Sequence, residues 1–215
     1  MTTEDPIALA QTQLLELLSS RICHDLISPV GAIHNGIEFL EDMGPDALED
    51  ALNLMKHSTK QATVKLQTYR MAYGAGGRDS AVTFKDVCAG LQSYFGLEAK
   101  VALAWVDGQA NTDQQPAGLC KLAAGALLLL GETLPKKGLI MGEIKGEGEI
   151  EFTAQGESCK FRDHTVDALN GEADISDLDP RLIHPYVLGL SARALGFKIA
   201  ASENDGTVTL NIRRA

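Results

Sequence analysis

The chain has 215 residues, of which 45% are hydrophobic and 22% charged, and its formal net charge is −10. This composition is typical of a folded globular protein that is long enough to bury a core, and it excludes a disordered chain. Because an acidic chain repels phosphate backbones and anionic lipids, we expect no nucleic-acid partner and no membrane partner.

The N-terminus and the cysteines indicate a cytoplasmic protein. The first ten residues, MTTEDPIALA, lack the basic region of a secretory signal. The longest apolar run, Leu122 to Leu130, is about half as long as a membrane span. The four cysteines are Cys23, Cys88, Cys120 and Cys159. Their wide spacing predicts reduced thiols and no zinc site or disulfide framework.

The first 78 residues predict two long helices. Apolar residues recur at spacings of three, four and seven over residues 7–43, which places them on one face of a helix. Gly44-Pro45 interrupts this pattern, and a second helix is predicted over residues 46–73. The apolar stripe of the second helix consists of Leu48, Leu52, Met55, Thr59, Ala62, Leu66, Tyr69 and Tyr73. The very short turn predicts an antiparallel hairpin.

Two helices cannot cover their own apolar stripes. We therefore expect two copies of the hairpin to form a homodimer with a four-helix bundle. The alternative is that the hairpin packs on the remainder of its own chain.

The remainder of the chain alternates between helical and strand patterns. Helices are predicted over residues 84–95, 115–134 and 179–195. Strands are predicted over residues 100–107, 138–145, 149–155, 197–202 and 207–213, with a further short strand at residues 81–84. This order predicts an α+β sandwich in which helices cover one face of a single sheet. We divide the chain into a helical hairpin of residues 1–78 and a smaller α/β domain of residues 79–215.

His24 is the residue best suited to chemistry. Its neighbours on the predicted helix are Ser20, Arg21, Ile27, Ser28 and Gly31. Several of these are small, so another protein could approach the imidazole, while Arg21 is placed to contact an anionic group. Asp25 follows directly and could orient the ring, and Pro29 predicts a kink in the helix. An isolated exposed histidine usually carries no function, so the assignment depends on the surrounding sequence.

That surrounding sequence, HDLISPVGAI, resembles the H-box of bacterial sensor histidine kinases, with its His, its acidic residue and its Pro. Near the C-terminus, GLSARALGFKIAASENDGTVTLNI resembles the last helix and hairpin of the kinase ATP-binding domain. The helix over residues 115–134 occupies the place of the kinase N-box helix but contains no Asn. The segments FRDHTVDALNGEAD and LDPRLIHPYVLGLS lack the glycines of the adenine box and of the lid. A phosphate cradle needs those groups, so we expect a degenerate kinase-like domain that does not bind ATP.

A retained H-box joined to a degenerate kinase-like domain resembles the ChpT family of bacterial histidine phosphotransferases. The segments RICHDLISPVGAIHNGIEFL, RMAYGAGG and ALNGEADISDLDPRLIHPYVLGLSARALG carry this resemblance, which covers nearly the whole chain. It implies a phosphorelay enzyme whose partners are receiver domains. A phosphoryl group would pass from the receiver aspartate of a hybrid histidine kinase to His24. It would then pass to the Asp of a response regulator such as CtrA, which controls the cell cycle.

The resemblance also implies roles for the residues around His24. Asp25 would orient or deprotonate the imidazole, and Arg21 would stabilise the phosphoryl charge during transfer. The expected docking residues are Ser20, Ile27, Ser28 and Gly31, with Lys56 and Lys60 as local cations. No cofactor is expected on this chain, because Mg²⁺ would come from the acidic pocket of the receiver.

Two other functions fit the same residues. A diverged histidine kinase would still use ATP, which the degenerate nucleotide motifs argue against. A dimeric adaptor with a kinase-like fold would have no catalytic activity, and His24 would then be dispensable.

Overall fold

Two long helices form the N-terminal part of the computed structural model, which describes residues 5–74, 82–106 and 115–215. Helix α1 spans Pro6–Met43 and helix α2 spans Leu48–Tyr73, with a 3₁₀ turn at Gly44–Ala47 between them. Asp5 caps α1, because its carboxylate accepts the backbone N–H of Ile7 at 3.0 Å. This part of the fold is the antiparallel hairpin that the sequence predicts.

A buried glycine lets the two helices approach closely. A Cβ atom on Gly36 of α1 would lie 2.8 Å from the side chain of Met55 on α2. Any larger residue would therefore force the Met55 side chain or the helices to shift at this level. Pro29 lies in the interior of α1 along the chain, and it is buried.

The remainder of the described chain is an α+β sandwich. Its helices are α3 (Phe84–Gly96), α4 (Leu119–Glu132), α5 (Thr165–Asn170) and α6 (Ile183–Ala194). Its strands are β1 (Val101–Trp105), β2 (Gly138–Gly146), β3 (Glu149–Gly156), β4 (Phe197–Asn204) and β5 (Thr207–Arg214). The sheet order is β1-β2-β3-β5-β4, with β1 parallel to β2 and the other pairs antiparallel.

The core lies between this sheet and α4. Alternate residues of β3 and β5 are fully buried, among them Phe152 and Leu210, which is the period expected of strands with one covered face. Helix α4 is apolar on almost every side and is almost wholly buried. The predicted fold class, a helical hairpin followed by an α+β domain, is confirmed.

Four elements differ from the sequence prediction, and the first is α4, which begins at Leu119 and not at residue 115. Residue 81 lies outside the described residues, but Val82 and Thr83 form no strand, because Thr83 and Asp86 form a capping box that begins α3 at Phe84. Helix α6 begins at Ile183 and not at residue 179. The Asp179 carboxylate accepts the backbone N–H groups of Arg181 and Leu182, which form the turn that precedes the helix. Helix α5 was not predicted at all. The predicted domain boundary between residues 78 and 79 lies outside the described residues, so the domain division remains a prediction.

The hairpin packs on the α+β layer along one face only. Tyr69, Met71 and Ala72 of α2 belong to the main core. On α1, the Gln13 side chain donates to the carbonyl of Ile175 at 2.9 Å. Other large apolar side chains of the hairpin are exposed, namely Ile7, Leu9, Leu15, Ile27, Val30, Ile37, Phe39, Met43, Leu48, Leu52, Leu54 and Leu66. In the described part of the chain, no helix is long and apolar enough to cross a membrane.

Candidate functional site

His24 stands on an open face of α1. Its side chain is 88% exposed. Ser20, Ile27 and Ser28 are exposed on the same stretch of helix, and a Cβ atom on Gly31 would meet nothing within 4 Å. The structure therefore places these predicted docking residues together on a surface that leaves room for a partner.

Asp25 lies beside His24 and is held from the second helix. Its Oδ1 is 3.4 Å from Nδ1 of His24, and its Oδ2 accepts a hydrogen bond from the hydroxyl of Tyr69. The Nζ of Lys65 donates to the backbone carbonyl of Asp25 at 3.1 Å. Two side chains of α2 therefore fix the position of Asp25 relative to the imidazole.

Arg21 has partners within the chain that the sequence did not indicate, and its role toward the phosphoryl group stays a prediction. Its guanidinium forms an ion pair with Glu132 at the C-terminal end of α4, and it donates to the carbonyl of Pro180 at 3.3 Å. Burial acts to lower the pKa of Arg21, but Glu132 and nearby tyrosines outweigh this and raise it. Glu132 ends an apolar helix and is itself largely buried, so it requires a cation. Arg21 therefore ties α1 to the α+β layer and is not a free cation beside His24.

Lys56 and Lys60 lie on α2 before Lys65, nearer the start of the helix. They line a shallow groove of about 500 Å³ whose other residues are Leu52, Met55, Thr59, Thr63 and Val64. Among the described residues, neither lysine forms a hydrogen bond or an ion pair with His24 or Asp25. The lysine that reaches Asp25 is Lys65, which the sequence did not indicate.

Three tyrosines lie behind the site, of which Tyr69 is buried and Tyr73 and Tyr94 are partly buried. Burial raises the pKa values of Tyr69, Tyr73 and Tyr94, so these phenols remain protonated hydrogen-bond donors. Tyr73 donates to Nδ1 of His184 at 2.7 Å, and Nε2 of His184 donates to the carbonyl of Gly125 at 2.9 Å. His184 is fully buried, and burial lowers its pKa to about 3. This histidine is a neutral structural link between α2, α4 and α6.

Sequence reasoning missed three residues of this network. Tyr69 lay in the predicted apolar stripe of α2, where its hydroxyl was a usable signal, because a buried tyrosine usually needs a hydrogen-bond partner. Glu132 gave a similar signal as the only carboxylate of the apolar helix α4. Lys65 gave none, since lysine is common on the polar face of a helix.

Two cavities adjoin the site. One of about 290 Å³ lies directly behind Asp25 and is lined by Lys65, Tyr94, Lys100 and Glu132, among others. A larger cleft of about 700 Å³ lies between Glu132, residues 158–164 and residues 179–182. These two segments overlap FRDHTVDALNGEAD and LDPRLIHPYVLGLS, which lack the glycines of the kinase adenine box and lid. Lys160, Arg162 and Arg181 give the cleft cationic side chains.

Comparison with known proteins identifies similar chains. Residues 84–207 match the family model described as the histidine phosphotransferase C-terminal domain. The chain is 31% identical over 198 residues to the protein phosphotransferase ChpT of Brucella abortus (strain 2308), covering 91% of this chain and 92% of that protein. It is also similar to a solved structure of a bacterial phosphotransferase, with a TM-score of 0.77 and 29% identity over 99% of this chain and 98% of the other. The likeness therefore includes the helical hairpin as well as the α+β layer.

Proposed function

The chain belongs to the ChpT-like bacterial histidine phosphotransferases, and from this premise we propose that His24 is the residue that carries the phosphoryl group. As a phosphotransferase of a phosphorelay, the protein has the receiver domains of response regulators as partners. We propose that the donor is the receiver domain of a hybrid histidine kinase and that the acceptors are CtrA-like regulators of the cell cycle.

The observation that supports His24 most strongly is its exposed imidazole, whose Nδ1 faces a carboxylate that the second helix holds in place. Nδ1 lies 3.4 Å from Asp25 Oδ1. With the proton on Nδ1, the lone pair of Nε2 is available to attack phosphorus. The small residues Ser20, Ser28 and Gly31 on the same helix face leave room for the partner's aspartyl phosphate to reach Nε2.

The transfer requires little covalent chemistry from this chain. Phosphoryl transfer depends mainly on alignment and on charge neutralisation. Nε2 of His24 attacks the phosphorus, the bond from phosphorus to the receiver carboxylate breaks, and that carboxylate leaves with the electron pair. The Asp25 carboxylate faces the His24 ring while that ring gains positive charge. Charge neutralisation at the phosphoryl oxygens would come from Mg²⁺ held by the acidic pocket of the receiver. The same steps in reverse load the next receiver.

We further propose that the chain works without ATP and resides in the cytoplasm. The missing N-box Asn and lid glycines support the first point. The free cysteines support the second, because reduced thiols are typical of that compartment.

The function is tested by transfer from a phosphorylated receiver. Wild-type protein is incubated with the phosphorylated receiver domain of a hybrid histidine kinase, and acid-labile phosphate on the chain is measured. We expect His24→Ala to abolish labelling and His34→Ala to preserve it. His34 is also exposed on α1, but the Glu38 carboxylate beside it lies 3.3 Å from its Nε2, the nitrogen that attacks in His24. Incubation with ATP alone should label neither protein. Equal labelling of His24→Ala and wild type would contradict the proposal.

A further inference from the structure

The two oxygens of the Asp25 carboxylate serve different partners. Oδ1 lies 3.4 Å from Nδ1 of His24, while Oδ2 accepts a hydrogen bond from the hydroxyl of Tyr69. The three side chains therefore form a connected chain of polar contacts from α2 to the exposed imidazole on α1. Only the imidazole lies fully at the surface, since Asp25 is 28% exposed and Tyr69 is 5% exposed.

Asp25 cannot be aimed by α1 alone. Consecutive residues on a helix point about 100° apart, so a carboxylate next to a histidine has no built-in direction toward the ring. A partly exposed aspartate with no other partner would rotate among several side-chain conformations. Tyr69 supplies the missing constraint, because its ring is packed in the core and lies 5.7 Å from the ring of Tyr73.

We propose that Tyr69 is a positioning residue for phosphotransfer: its hydroxyl holds the Asp25 carboxylate against Nδ1 of His24. This inference deepens the proposed function and rests on it. With the carboxylate in place, the proton stays on Nδ1 and Nε2 is presented as the nucleophile.

The same contact acts throughout the transfer. When the Nε2–P bond forms and the bond from phosphorus to the receiver carboxylate breaks, the ring becomes cationic while Nδ1 keeps its proton. The fixed carboxylate then stabilises that cation without having to reorient. When the phosphoryl group leaves for the next receiver, the Nε2–P electron pair returns to the ring. Tyr69 touches neither phosphorus nor the imidazole, so it acts only through Asp25.

The hydroxyl remains a donor over the whole pH range of the reaction. Burial raises the pKa of Tyr69 well above its usual value, with further contributions from Tyr94 and Asp25. Lys65 adds a second constraint, because its Nζ donates to the backbone carbonyl of Asp25 at 3.1 Å.

The direct test is Tyr69→Phe, which removes the hydroxyl and keeps the packed ring. The matched control is Tyr73→Phe, which removes another hydroxyl of α2 whose partner is His184 and not Asp25. Two properties are measured: the rate of phosphoryl transfer to His24 from the phosphorylated receiver, and the tautomer of the His24 ring in the free protein by ¹⁵N NMR. The thermal unfolding temperature of each variant reports any structural damage.

We expect Tyr69→Phe to transfer about fivefold more slowly, which corresponds to one lost hydrogen bond of about 1 kcal/mol. We also expect the His24 ring to shift from the Nδ1–H tautomer toward the mixture found in free histidine. Tyr73→Phe should keep the wild-type rate and tautomer although it unfolds at a lower temperature. A purely structural role for Tyr69 would change the unfolding temperature and leave the tautomer as it is.

A double-mutant cycle with Asp25→Ala tests whether Tyr69 acts through Asp25. In that background Tyr69→Phe should slow transfer no further. An additional fivefold loss, or a wild-type rate and tautomer in Tyr69→Phe alone, would overturn the inference. If wild-type protein accepts no phosphate from the receiver, the proposed function fails, and the tautomer measurement still decides whether Tyr69 positions Asp25.

Discussion

His24 and Asp25 are neighbours in the sequence, and this is why the sequence could identify them. Both belong to one short motif on one helix, so their relation depends only on helical geometry. The contacts that hold the side chains of this site cannot be derived from helical geometry. Tyr69 is separated from Asp25 by 44 positions and Glu132 from Arg21 by 111, so only the tertiary packing of α2 and α4 brings them together.

Arg21 shows what this limit leaves out of a prediction. A helical wheel correctly places it one turn from His24, which suggested a role in neutralising the phosphoryl group. The wheel contains no information about Glu132, whose burial makes a cationic partner necessary.

His184 gives a prediction at the scale of one residue. Its pKa is about 3 in the folded protein and 6.5 as the reference value, so the unfolded chain binds the extra proton between these pH values. His184 therefore stabilises the fold fully above pH 6.5, and this contribution falls as the pH decreases toward 3, by at most about 1.4 kcal/mol per pH unit.

Urea unfolding at pH 7 and pH 5 measures this effect. The wild-type protein should lose more free energy of unfolding between the two pH values than His184→Gln, which cannot titrate there. The same pH dependence in both proteins would show that His184 does not carry the effect.

At the scale of elements, the length of a pattern decided how well it could be predicted. Helices α1 and α2 contain many turns with a repeated apolar stripe, and the hairpin was recovered with nearly correct ends. Helix α5 has only 6 residues and begins after His164, a non-glycine residue with a φ of 62°. Gly171 marks its end, but a segment of this length shows no helical period and nothing in the sequence marks its beginning.

The exposed apolar face of the hairpin carries the next prediction. We propose that a second copy covers this face, and the groove along α2 that includes Leu52 supports this pairing. Leu52→Asp should disrupt the dimer, because an unpaired carboxylate in an apolar interface costs several kcal/mol. In one chain alone Leu52 is 38% exposed, so the substitution should leave the fold intact.

Light scattering at tens of micromolar protein measures the molecular mass in solution. Wild type should show twice the 23.0 kDa of one chain, and Leu52→Asp should shift toward 23.0 kDa. Leu190→Asp is the matched control, since Leu190 is 43% exposed on α6, which is not part of the hairpin. A monomeric wild-type protein would contradict the proposed four-helix bundle.

At the scale of the whole molecule, the hairpin and the α+β layer are joined by polar contacts as well as by the core. The Arg21–Glu132 ion pair and the Tyr73–His184 hydrogen bond each connect the hairpin to the other layer. The sequence predicted both layers and their order along the chain. It left open how they pack, because that depends on pairs of residues distant in sequence. The structure shows that the hairpin packs on its own chain along one face and exposes apolar residues along the other.

The central claim is that one exposed imidazole carries the phosphoryl group. The most direct measurement is to label the chain from a phosphorylated receiver domain and to locate the phosphate by mass spectrometry and ³¹P NMR at neutral pH. A single phosphohistidine at His24, bonded through Nε2, is the predicted result. Phosphate on another residue such as His34 or His57, or a chain that remains unlabelled beside an active donor, would contradict the account.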